Sequence, residues 1–146
     1  MIELPAAPPY VATARLFAAA AARHFGVGEA DVEDARLAVS EIVTASLVRA
    51  GTGPAGGVRL TVAPAPDGAV AFRVDVPGRL PAPADDQEAP DGFGGEDGFA
   101  VSMSLRLIHE LFSDTSVESV EPDRTVVGFS LPPAGQTGRD EVNEAF

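Results

Sequence analysis

Two short apolar runs, 58–63 and 70–76, have the loop Pro64-Ala65-Pro66-Asp67-Gly68 between them. Strands joined by so short a turn pair antiparallel, because a parallel crossover needs a dozen or so residues. A second such pair is expected at 116–120 and 125–131, around Glu121-Pro122-Asp123-Arg124. A short strand at 2–4, closed by Pro5, completes the predicted sheet. Three helices fill the remaining order. The first covers 10–25, an Ala-rich run behind Pro8-Pro9 that Gly26 and Gly28 stop. The second covers 30–50, where Val32, Ala35, Val39, Ile42, Val43 and Ser46 recur at helical spacing. Asp31, Glu33 and Asp34 suit the dipole at its start, and Gly51 follows its last turn. The third covers 99–112, with Val101, Leu105, Ile108 and Phe112 on one face.

This order predicts a two-layer α/β (α+β) sandwich, a mostly antiparallel mixed sheet with three helices on one face. The 146 residues fit one domain, placed at 1–133. The Pro-, Gly- and acid-rich stretch 77–98 reads as a long lid loop, and 134–146 as a flexible polar tail.

Charge and composition narrow the function. A formal net charge of −12 repels a phosphate backbone and an anionic membrane surface, and attracts a basic protein. Without cysteine there is no disulfide, thiolate metal site or Cys nucleophile. The opening Met1-Ile2-Glu3-Leu4-Pro5 has no basic region before an apolar run, and 16–22 is too short to span a bilayer, so a cytoplasmic location is expected.

The motifs that could carry chemistry are few. His24 and His109 fall in different helices without metal-ligand spacing, and read as helix-surface residues. Ser102 and Ser104 lack the sharp turn of an exposed nucleophile. Asp91-Gly92-Phe93-Gly94-Gly95-Glu96-Asp97-Gly98 lacks the Lys and Ser/Thr of a phosphate loop, and acids flank it. Glu41 stands beside the apolar stripe of the second helix. It reads either as a solvated carboxylate or as one aimed into a pocket, and local spacing does not choose between them.

The stretch Asp34-Ala35-Arg36-Leu37-Ala38-Val39-Ser40-Glu41-Ile42-Val43-Thr44 resembles the N-box helix of the anti-sigma-factor serine kinases, members of the Bergerat-fold, histidine-kinase-like ATPase superfamily. Ile2-Glu3-Leu4-Pro5-Ala6 is similar to that family's opening strand. Ser102 to Phe112 is similar to the helix after its phosphate lid, and Val127-Gly128-Phe129-Ser130-Leu131 to its closing strand. The family's N-box reads Glu-x-x-x-Asn. The resemblance makes Glu41 the candidate base for phosphoryl transfer and puts Ala45 where an Asn would hold magnesium, leaving no metal ligand. The family's adenine turn reads Asp-x-Gly-x-Gly. Here Asp75 matches the acid, a candidate adenine contact, with Pro77 and Arg79 in place of the glycines. Ser102 and Ser104 match a further Gly-x-Gly near the phosphates.

The resemblance therefore implies a degenerate member, with no cofactor expected or ATP and magnesium held weakly. Its implied function is an anti-sigma regulatory factor that binds a sigma factor, is released by an anti-anti-sigma antagonist, and forms a homodimer. The alternatives are an active serine/threonine kinase acting on that antagonist, and an interaction module unrelated to sigma factors.

Overall fold

The structure, a computed structural model, describes residues 1–50, 57–80, 95–112, 114–120 and 123–132, with backbone alone at 50 and 95–102. Along the chain run β1 (Ile2–Leu4), α1 (Pro9–His24), α2 (Glu29–Ala50), β2 (Val58–Pro64), β3 (Val70–Pro77), α3 (Gly95–Leu111), β4 (Ser116–Val120) and β5 (Arg124–Leu131). The strands form one five-stranded sheet in the order β1-β2-β3-β5-β4. All neighbours are antiparallel, so the sheet is not mixed. The α/β architecture is otherwise the one expected.

The β2–β3 turn closes as its residues dictate. The Ala65 amide donates to the Ala69 carbonyl at 2.8 Å, and the Ala69 amide to Asp67 Oδ1 at 3.0 Å. Gly68 takes the left-handed backbone that the turn requires, with φ 90°. β3 then pairs with β2 on one side and along its full length with β5 on the other, from Val70 opposite Leu131 to Pro77 opposite Arg124.

Packing follows from alternation and helical spacing. Val70, Phe72, Val74 and Val76 of β3 face the helices, with Leu60, Val127, Phe129 and Leu131 beside them in one apolar core. Phe129 lies between Phe72 and Phe112, with ring centroids 5.0 and 4.4 Å away. The helix α2 is the central one. Its buried positions Val32, Ala35, Val39, Ile42, Val43 and Ser46 follow the expected periodicity, and Ala38 and Ala45 widen the stripe. The helix α1 buries Ala14, Ala18, Ala19 and Ala22. Small side chains on α1, with Ala35 and Ala38 on α2, let the two helices pack closely. The helix α1 ends as the glycine predicts: Gly26 has φ 83° and the Val27 amide reaches back to the Ala22 carbonyl at 3.0 Å.

The expected lid at 77–98 is shortened at both ends. β3 continues through Pro77, held in register by β5. Residues 78–80 are fastened to the core, as described below. The helix α3 begins at Gly95 rather than at 99. This start falls within a stretch whose glycines signal a loop. The middle of that stretch, 81–94, and the expected tail, 134–146, lie outside the described residues.

Candidate functional site

The helix α2 presents Glu41 half-buried, toward α3, where its Oε1 accepts a 2.7 Å hydrogen bond from Ser104 Oγ. One helical turn on, Ala45 is 3% exposed and adds only a methyl group to the interior. Its neighbour Ser46 is fully buried and donates a 2.6 Å hydrogen bond to the Pro77 carbonyl at the end of β3. These three positions bring α2 against α3 on one side and against the turn after β3 on the other.

Asp75 does not join them. Alternation along β3 turns it to the sheet face away from the helices, because Val74 and Val76 on either side are both buried in the core. There Arg124 holds it: Nε donates to Asp75 Oδ1 at 2.7 Å. The same guanidinium donates to the Gly57 carbonyl at 2.6 Å and to the Asp75 carbonyl at 3.2 Å. Glu3 and Arg59 pair at 2.9 Å in the same cross-strand row, and with Gly57, Val58, Asp75 and Arg124 they line a pocket of about 340 Å³. Gly57 is needed at this point, since a Cβ would lie 2.4 Å from the Leu4 carbonyl oxygen. Asp75 therefore serves a strand-to-strand clasp on the open face, away from Glu41.

The helix-facing residue at this end of β3 is Val76, fully buried, with Thr125 of β5 opposite it in register. Between Pro77 and Arg79, Gly78 adopts φ 90° and turns the chain at the end of the strand. Leu80 is 4% exposed and packs in the core. Its amide donates to Thr125 Oγ1 at 3.0 Å, and Thr125 Oγ1 donates to the Gly78 carbonyl at 2.7 Å. The Gly78 amide is itself taken by the Asp123 carbonyl at 2.8 Å.

Ser102 and Ser104 lie within α3 and not in a loop before it. Inside a helix the backbone amides are committed to carbonyls one turn back, so they form no anion cradle. Ser104 acts through its hydroxyl, on Glu41. His24 and His109 are exposed on their helices, as expected.

Val76, Ser46 and Thr125 meet at the turn after β3, and sequence reasoning singled out none of them for a role at the site. The signal for Val76 was present in the unbroken alternation Val70, Phe72, Val74, Val76.

Set against a magnesium nucleotide, these residues are a poor donor set. Magnesium takes oxygen ligands in near-octahedral array, and the position one turn beyond Glu41 supplies carbon. The helix-facing end of the strand supplies the Val76 isopropyl group, and the Thr125 hydroxyl beside it already donates to Gly78 and accepts from Leu80.

A family profile described as the histidine kinase-like ATPase domain matches residues 4–131. No curated protein matches the chain at a significant level. The matched span runs from the end of β1 to the end of β5. The chain thus belongs to the family of histidine kinase-like ATPase domains.

Proposed function

We propose that this chain is an anti-sigma regulatory factor, a histidine kinase-like ATPase fold that binds a sigma factor through its protein surface and no longer depends on bound nucleotide. The observation that carries the reading is the pair Ala45 and Val76. Both are buried, and both are apolar. A domain that keeps the whole frame while filling these positions with carbon retains shape and surface, and these suit partner binding.

The choice of partner rests on the N-box resemblance around Glu41. The net charge of −12, which favours a basic protein surface, supports it. An anti-anti-sigma antagonist would release the sigma factor by competition, and the working unit would be a homodimer in the cytoplasm. The test is a titration of the full chain with candidate sigma factors, with and without Mg-ATP. The expected result is saturable binding whose affinity Mg-ATP does not change. Absence of binding to any sigma factor would contradict the reading in favour of a different interaction module.

One observation favours the kinase alternative: Glu41 is retained and only half-buried. Incubating the chain with antagonist and labelled Mg-ATP decides it, and we expect no phosphoserine on the antagonist.

A further inference from the structure

We infer that the turn after β3 is latched shut by two buried hydroxyls, so that the chain's own polar atoms satisfy one another across the groove and its closed form needs no ligand. The inference rests on the fold and not on the sigma-factor reading. Ser46 and Thr125 are both fully buried. Their partners lie far away in sequence, at the Pro77 carbonyl for Ser46 and at the Gly78 carbonyl and Leu80 amide for Thr125. Three consecutive links thus fasten residues 77–80 to α2 and β5. Leu80, packed in the core, anchors the turn from its side chain as well. The left-handed backbone at Gly78 aims the chain back toward Thr125.

A buried hydroxyl that loses its partner costs more than a hydrogen bond gains, so a latch with every group paired resists opening. Thr125 is the central part. Its oxygen accepts from Leu80 while its hydrogen goes to Gly78, which commits its one hydrogen and places an amide on its oxygen. A ligand acceptor bonding to the Thr125 hydroxyl would have to displace the Gly78 carbonyl, and a ring entering the corner would have to displace Leu80. At the other end of the groove, the Ser104 hydroxyl occupies Glu41 Oε1 in the same self-complementary way. Ser46 and Thr125 are therefore positioning residues: they hold the turn and touch no substrate.

Amide hydrogen exchange of the full chain, read residue by residue by NMR, tests the latch. In the wild-type protein without ligand, the Leu80 amide should be protected by about a hundredfold or more. Thr125→Val keeps the shape and removes the hydroxyl, and should cut that protection about tenfold beyond any change at the Phe72 amide of the core. Thr125→Ser should restore most of it. Millimolar Mg-ATP should leave the Thr125 methyl resonance of the wild-type protein in place. An unprotected Leu80 amide in the wild-type protein, equal protection at Leu80 in Thr125→Val, or a saturable shift of the Thr125 methyl would each overturn the inference. The two wild-type measurements stand even if the Val variant does not fold.

Discussion

On the helix side of β3 stand Val70, Phe72, Val74 and Val76, none more than 1% exposed, while Ala71, Arg73 and Asp75 stand on the other side with access to water. The first row continues apolar to the very end of the strand. The second row carries the Asp75 carboxylate, which Arg124 holds within the sheet. The contrast shows where this protein retains polar chemistry. At this end of the sheet the charge stands where solvent and a counter-ion lie beside it, and the buried positions carry carbon or hydroxyls bonded to backbone.

Substitutions on the two faces of the same strand probe this division. The largest effect is expected for Phe72→Ala, which empties a site between stacked rings and should lower the unfolding free energy in urea by about 3–5 kcal/mol. The adjacent Arg73→Ala should stay within about 0.5 kcal/mol. Comparable losses at the two positions would dissolve the distinction between the faces. Next comes Arg124→Ala on the open face. It removes one carboxylate and two carbonyl contacts from a partly buried guanidinium, for an expected loss of about 1–3 kcal/mol.

Asp75→Asn should cost less, about 1 kcal/mol or below, because an amide oxygen can still accept from Arg124 and the pair is partly solvated. Measured in parallel, Asp75→Asn should leave the response to Mg-ATP unchanged. A response lost with Asp75 would return that residue to the groove.

The smallest effect belongs to the exposed pair that joins α1 to α2, Arg23 and Glu29, 2.9 Å apart. The hydrogen bond from Arg23 holds the Glu29 carboxyl below its ordinary value. The pair's contribution is thus present above that ordinary value and fades as the pH falls through the lowered one. In acid titrations followed by circular dichroism, Glu29→Gln should differ from wild type only slightly, and only on the neutral side of that transition.

The sequence made much of this structure legible through period and punctuation. The stripe from Val32 to Ser46 gave α2, Gly26 gave the end of α1, and the short loop around Asp67 and Gly68 gave the antiparallel hairpin. The site was harder to read because it depends on single-residue phase. Matching the family's acid to an acid in the sequence selected Asp75, while the strand's alternation puts Val76, and not Asp75, on the helix face. A slip of one residue carries a side chain to the opposite face of a sheet. The hydroxyl latch was not legible at all, since Ser46 and Thr125 bond to backbone atoms 31 and 47 residues away, and a carbonyl leaves no mark on the residue that owns it. The early start of α3 was concealed by Gly95 and Gly98, whose composition signals a loop.

Calorimetric titration of the intact wild-type chain with Mg-ATP addresses the central claim most directly. With Ala45 and Val76 apolar and the turn fastened over Leu80, no saturable heat should develop through millimolar nucleotide. A one-to-one isotherm in the micromolar range, lost on adding a magnesium chelator, would contradict the account.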